Sequence, residues 1–253
     1  MKQTLMFLLC LTFMNIKAGD DAGFSRFFRN ETFRIDYYHS GNATAEYITL
    51  DQIYCQGTWA GNPSHLIQWH DMGKYSASVY DMATNTLIFS TGYSTIFSEY
   101  QTTGPALEGI QRTYHETVLI PRPRSKFLFV IEKRDPYNIP CPIFRQVIDP
   151  NDYHIITEGL KRTGDKLIRV TGNGDPHTSV DLVIIGEGYS AEEEKTFKKD
   201  LDYFTGVFFS IEPYKGGKQK FNITGIYTPS AESGTDEPRQ GRYRNTVLGS
   251  SFN

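Results

Sequence analysis

Residues 180–190, Val-Asp-Leu-Val-Ile-Ile-Gly-Glu-Gly-Tyr-Ser, determine how the second half of this chain folds. The nearly continuous apolar run Val180–Ile185 predicts a buried central strand. The two glycines that follow it predict a tight turn. Ser190, with Glu193 three residues later, forms a capping box, which marks the first turn of a helix. The sequence therefore predicts a strand that turns directly into a helix.

An amphipathic helix follows this turn. Its apolar residues recur at intervals of four, three, four and three, so they share one helix face, and Pro213 ends the helix. Segments 166–171 and 220–227 predict further strands on either side. Such a stripe needs a sheet of several strands to bury it, and residues 228–253 are mostly polar, so we expect the chain to stop inside this second domain. The stripe consists of Phe197, Leu201, Phe204, Phe208 and Ile211.

The first half of the chain has the pattern of an antiparallel β protein. Short segments rich in Tyr, Phe, Ile and Val alternate with turn residues, and no segment has a helical period. Pro121-Arg-Pro123 predicts a turn between the last two strands. The fold class is therefore predicted as α+β, with an antiparallel, Ig-like β-sandwich at 19–148 and an incomplete α/β domain at 149–253. The predicted strands are 32–38, 46–55, 75–80, 86–90, 112–120 and 126–132.

The N-terminus has the layout of a secretory signal peptide. Lys2 precedes an apolar run at residues 5–14, and Ala18 is a small residue suited to cleavage. Cys10 invites a lipoprotein interpretation, but the large Leu9 before it makes cleavage after Ala18 the favoured one. The apolar run is too short to span a bilayer, and no later segment predicts a transmembrane span. We expect residues 1–18 to be removed and the protein to be secreted, or placed at the cell surface or in the periplasm.

Charge and cysteine content exclude some classes of protein. The net charge of −3 and the isolated basic cluster at 122–126 argue against a nucleic-acid binder. Cys55 and Cys141 remain after removal of the signal peptide, and either a disulfide or two separate thiols fits an exported protein. The sequence carries no signal for an oligomeric state.

Residues 186–191 match the pattern G-x-G-x-x-A between a strand and a helix, a pattern that is typical of a dinucleotide-binding site. Glu187 and the acidic run 192–194 would place negative charge where a pyrophosphate must lie. The next strand also lacks the acidic residue that would bind a ribose. The sequence therefore gives little support to a nucleotide-dependent enzyme, which is the least favoured function of this chain.

The residues present do not supply a complete catalytic or metal site. His115-Glu116 begins an H-E-x-x-H pattern, but Leu119 occupies the second histidine position and the pair lies in a predicted strand. The other histidines are scattered, and neither G-x-S-x-G nor a cysteine beside a base occurs. The densest polar cluster is the loop 232–241, either a solvated connection or the edge of a cleft formed by Asp236, Glu237 and Arg239.

Five blocks of the sequence, at 54–61, 132–135, 180–189, 209–214 and 231–241, occur in an order and spacing that carry a family resemblance. The last three resemble the IgA peptidase family of zinc metallopeptidases, and the first two are similar to the β-sandwich that precedes the peptidase in members from gut Bacteroides-type bacteria. The resemblance implies a metzincin-like catalytic domain, extracellular protein or peptide substrates, and a zinc-bound water activated by a glutamate. In that family the zinc-binding helix lies downstream of the block at 236–240. We therefore expect this chain to bind no zinc and to be inactive alone.

The alternative function is a non-catalytic secreted module that binds a host glycan or protein. Trp59 and Trp69 lie in a predicted long loop at 57–73, and exposed aromatic rings favour such contacts. If both indoles belong to the core instead, this function loses its main support.

Overall fold

The computed structural model describes residues 21–68, 72–157 and 164–252. The predicted signal peptide, Trp69 and His70 lie outside the described residues. Within them no helix is long and apolar enough to cross a membrane. In chain order the helices and strands are α1 (Asp21–Phe27), β1 (Phe28–Gly41), β2 (Glu46–Gln56), β3 (Tyr75–Asp81), β4 (Thr86–Tyr93), α2 (Ile96–Tyr100), α3 (Gly104–Leu107), β5 (Arg112–Pro123), β6 (Phe127–Arg134), β7 (Pro140–Ile148), β8 (Lys166–Thr171), β9 (Val180–Ile185), α4 (Glu194–Phe208) and β10 (Phe221–Tyr227).

The first half forms the predicted antiparallel β-sandwich. One sheet has the strand order β2-β1-β5 and the other β4-β3-β6-β7, and every pair is antiparallel. Alternate side chains of each strand point between the sheets, where apolar burial stabilises the sandwich. The largest completely buried side chains that β1 and β6 contribute to this core are Phe28, Phe33, Ile35, Tyr37, Phe127, Phe129 and Ile131.

Three features of the sandwich differ from the sequence prediction. Pro121 and Pro123 belong to β5, and the turn lies at 124–126 instead. β5 is the edge strand of its sheet, which is where a sheet tolerates proline. β7 was not predicted, since Pro140 and Pro142 hide another edge strand. The short helices α1, α2 and α3 were also missed, because they are too short to show a helical period.

The second half forms a sheet with the order β8-β10-β9, and β10 runs antiparallel to β8 and parallel to β9. α4 connects the two parallel strands, as the strand–helix–strand prediction requires. The prediction that β9 is the central strand is wrong, since in the described residues β9 lies at an edge and β10 lies between its neighbours. Val183 and Ile185 are exposed because α4 covers only one face of this sheet.

The predicted aromatic stripe of α4 is buried only in its first half. Phe197 and Leu201 pack on the sheet, whereas Phe204 is 60% exposed. Ile211 is 53% exposed and lies outside α4, which ends at Phe208. The stripe extends beyond the surface that three strands provide. The predicted pair of Glu194 and Lys198 is present, with Oε1 and Nζ 2.6 Å apart, and Lys166 bonds the second oxygen of Glu194.

Candidate functional site

The carboxyl ends of the parallel strands β9 and β10 lie at the same edge of the second sheet. In open α/β sheets this edge is where ligands bind. The turn 186–189 follows β9 there, and residues 228–252 follow β10. The sequence block identified as a tight turn and the polar loop 232–241 therefore lie in one place.

Gly188 brings these two segments into backbone contact. It has a φ of +72°, and a Cβ at this position would lie 2.1 Å from the carbonyl oxygen of Gly234. The amide of Gly234 donates to the carbonyl of Gly188 at 2.9 Å. The second glycine of the G-x-G pattern is thus needed for close packing of two loops, which accounts for it without a phosphate group.

Glu187 ties the turn to the end of the described chain. Its carboxylate accepts hydrogen bonds from the amides of Leu248 and Ser250, at 3.0 and 3.1 Å, and from the hydroxyls of Thr246 and Ser250. Burial raises the pKa of Glu187, but these hydrogen bonds outweigh that effect and lower it. The charge of Glu187 is therefore used to hold residues 246–250.

The predicted capping box is formed, at the 3₁₀ turn Ala191–Glu193 that leads into α4. The amide of Ser190 donates to Oε2 of Glu193 at 2.8 Å. The other oxygen of Glu193 accepts a hydrogen bond from the hydroxyl of Ser233 at 3.0 Å. The first turn of the helix is therefore bonded to the same loop that contacts Gly188.

Asp236, Glu237 and Arg239 do not converge on a common point. Oδ1 of Asp236 accepts from the amide of Arg244 at 2.5 Å, and the backbone groups of Glu237 and Arg242 bond each other. Arg239 is exposed, and nothing in the described residues forms a hydrogen bond or ion pair with it. The two acids order their own loop, and the cleft-edge role of the three residues stays a prediction.

Across residues 21–68, 72–157 and 164–252, no three His, Cys, Asp or Glu side chains are grouped so that they could hold a metal ion. His115 and Glu116 are successive residues of β5 with separate partners, Asp51 for His115 and His39 for Glu116. Cys55 is a buried free thiol and Cys141 an exposed one.

The sandwich contains a buried ionic cluster that sequence analysis missed. His39 is completely buried, and its Nδ1 and Nε2 atoms lie 2.8 and 2.9 Å from carboxylate oxygens of Glu116 and Glu46. Lys133 bonds Oε2 of Glu46. The hydroxyl of Tyr75 donates at 2.7 Å to Oε1 of Glu46, the oxygen that also faces His39. The residues come from five strands, so only the register of the folded sheets brings them together.

The ionisation of this cluster follows from its hydrogen bonds. Burial lowers the pKa of His39, but hydrogen bonds to Glu116 and Glu46 outweigh burial and raise it. Burial raises the pKa of Glu46, but hydrogen bonds from His39, Lys133 and Tyr75 lower it to about 2. Both ring nitrogens of His39 face carboxylate oxygens, which only accept, so this geometry favours the imidazolium form of His39 between two carboxylates.

Trp59 belongs to the core of the sandwich. Its indole is 7% exposed and stacks on Phe24 of α1, with ring centres 5.3 Å apart. A cavity of about 400 Å³ lies beside it, between β4 and β5, lined in part by His65, Gln68 and Leu119. Trp59 forms the floor of this cavity and presents little of its ring.

The two structural units match two family models. The model described as Peptidase M64 N-terminus matches residues 23–145, from α1 into β7. The model described as IgA Peptidase M64 matches residues 168–253, which begin within β8. No curated protein matches the chain.

Proposed function

Because this chain belongs to the IgA peptidase M64 family, which is a family of metallopeptidases, we propose that it forms the sandwich and the first part of the catalytic domain of an exported zinc peptidase. The substrates are peptide bonds of extracellular proteins. The observation that carries this proposal is the order of the two family matches, each of which falls on its own structural unit. The signal-peptide layout of residues 1–18 supports export.

The exposed apolar face of the second sheet supports the proposal that this unit is part of a larger α/β domain. α4 covers one face of the sheet through Phe197 and Leu201. The opposite face carries Leu167, Ile185 and Ile226, which are brought side by side by the register of the three strands. Leu167 and Ile185 are exposed on this face, and a doubly covered sheet would bury them.

Zinc supplies this family with a Lewis acid that generates a nucleophilic hydroxide from water at neutral pH. The residues present do not fit that role. The only H-E pair, His115-Glu116, lies on a strand, where successive side chains point to opposite faces, and both side chains are bonded to other residues. We therefore assign the chain a supporting role, in which the sandwich carries the α/β unit and loop 232–241 borders the cleft.

Metal analysis and a hydrolysis assay test this function together. The purified chain is expected to hold no stoichiometric zinc and to leave an unfolded protein substrate intact. The product of the whole source gene is expected to hydrolyse that substrate in a reaction that a zinc chelator stops. One tightly held zinc per chain in the 253-residue protein would contradict the assignment.

The alternative, a glycan- or protein-binding module, rested on exposed tryptophans. The Trp59 indole is buried against Phe24 and Phe89, so it offers no open platform for a sugar ring. The cavity beside Trp59 is the remaining observation in favour of this function. Binding of a soluble sugar that depends on residues of this cavity would support it.

A further inference from the structure

Trp59 anchors a rigid segment between β2 and β3, here called the Trp59 loop (residues 57–63). The indole stacks on Phe24 with an interplanar angle of 13° and meets Phe89 edge to face at 81°. Gly61 lies directly on the ring, since a Cβ there would be 2.2 Å from Cζ2 of Trp59. The backbone of the loop is therefore held in place by the core beneath it.

A turn from the second unit is seated on this loop. Asp175 closes the turn through its Oδ1, which accepts from the amide of His177 at 2.9 Å, and its carbonyl, which accepts from Thr178 at 3.0 Å. Nδ1 of His177 lies 2.8 Å from the carbonyl oxygen of Gly61, so this nitrogen carries a proton and donates. The imidazole also packs near Trp59 and Phe24, with ring centres 6.2 and 6.3 Å away.

The segment that joins the two units makes a second contact with the same side of the sandwich. The amide of Cys55 donates to Ile156, and the amide of Ile156 donates to Ile53, both at 2.9 Å, so residue 156 pairs with the edge of β2. Ile155 is buried in the core of the sandwich. β2 leads directly into the Trp59 loop, so the paired segment and the His177 turn contact adjacent parts of one surface.

We propose that the Trp59 loop is a docking surface for the α/β unit, and that its occupant is the His177 turn (residues 175–178). One contact would leave the units free to rotate about a hinge. Two adjacent contacts fix their orientation, so the sandwich holds the α/β unit at a set angle and the two units unfold together. This gives the sandwich a role in the architecture of the chain, separate from substrate binding or catalysis.

Unfolding of the full chain tests this docking. In a Trp69→Phe background Trp59 is the single indole and reports on the sandwich, while circular dichroism reports on both units. The compared variants are His177→Ala, His177→Asn, which keeps an N–H donor, and the control His154→Ala, which removes an exposed histidine paired with Asp152. Coincident transitions by both probes indicate one cooperative unit.

The parent and His154→Ala are expected to show one coincident urea transition. His177→Ala is expected to split this single urea transition into two and to shift the fluorescence emission of Trp59 in the native protein to longer wavelength. His177→Asn is expected to bring the fluorescence and circular dichroism transitions partly back together. The proposal is overturned if His177→Ala behaves as His154→Ala does, or if the parent itself unfolds in two steps. It is also overturned if N-acetylglucosamine raises the unfolding midpoint of the parent and Trp59→Phe removes that effect.

Discussion

Replacement of His39 by glutamine is expected to destabilise the sandwich severely. The imidazolium is completely buried and bridges Glu116 on β5 to Glu46 on β2, at 2.8 and 2.9 Å. Its ring also stacks on Phe97 of α2, with centres 4.0 Å apart. Removal of one partner from a buried ion pair costs about 3–5 kcal/mol, because the remaining charge stays buried without compensation.

The loss is shared unequally between the two carboxylates. Glu46 keeps the ammonium group of Lys133 and the hydroxyl of Tyr75, whereas Glu116 keeps two neutral partners, the amide of Phe97, at 3.3 Å from its Oε1, and the hydroxyl of Tyr37. We therefore expect the lower end of the range, about 3 kcal/mol, with Glu116 as the main source. His115→Gln on β5 is the matched control, since His115 is exposed and pairs with Asp51.

The pH dependence of stability identifies the charge on His39 as the cause. The folded pKa of His39 is raised, so its contribution is complete below the unfolded pKa of about 6.5 and is lost as the pH rises through the folded value. Glu46 affects stability at acidic pH. Its folded pKa of about 2 lies below its unfolded value of about 4, so its contribution to stability is complete above about pH 4 and is lost as the pH falls from there toward 2.

Urea unfolding across the range from pH 5 to pH 9 measures the effect of His39, and a second series below about pH 4 measures that of Glu46. The other charged groups of this cluster are Lys133, which bonds Glu46, and Lys74, which interacts electrostatically with Lys133 and Glu46. The hydroxyls of Tyr75, Tyr37 and Tyr93 complete its polar surroundings. Parent and His115→Gln are expected to lose stability as the pH rises above about 6.5. If His39→Gln keeps the parent's slope, or loses less than about 1 kcal/mol, the ionic account of this cluster is wrong.

Three further predictions concern the second unit. Leu201→Ala is expected to lower the free energy of unfolding in urea by about 2–5 kcal/mol, because Leu201 is buried against the sheet. Phe204→Ser, at an exposed position of the same helix, is expected to lower it far less. Equal losses would contradict the half-buried stripe. Glu187→Gln is expected to speed hydrogen exchange at the amides of Leu248 and Ser250, and unchanged exchange would mean that other contacts hold them. Gly188→Ala is expected to cost about 1 kcal/mol or more, because its φ of +72° and the carbonyl of Gly234 leave no room for a Cβ; an unchanged unfolding midpoint would refute this.

Local patterns in the sequence predicted most of the secondary structure. Val180–Ile185, the capping box at Ser190 and the alternating segments of the sandwich depend on neighbours within a few residues, so the sequence displays them directly. Pro121 and Pro123 misled the prediction because a proline signals a turn, whereas its tolerance at the edge of a sheet depends on strand order. Strand order is set by tertiary pairing.

The sites that sequence analysis missed are formed across long separations. His39 and Glu116 are 77 residues apart, and His177 and Gly61 are 116 apart, so no local spacing brings either pair to notice. Glu187 was identified as a charge that would repel a phosphate, and its acceptance of amides from residues 248 and 250 depends on a loop that has no periodic pattern. One signal in the sequence could have pointed to the His39 cluster, namely two acidic residues, Glu46 and Glu116, in strands that are otherwise half-buried.

Sequencing of the source gene beyond codon 253 tests the central claim most directly. The account predicts an in-frame continuation that encodes H-E-x-x-H, which would supply zinc ligands and a general base. A stop codon directly after Asn253 would contradict it.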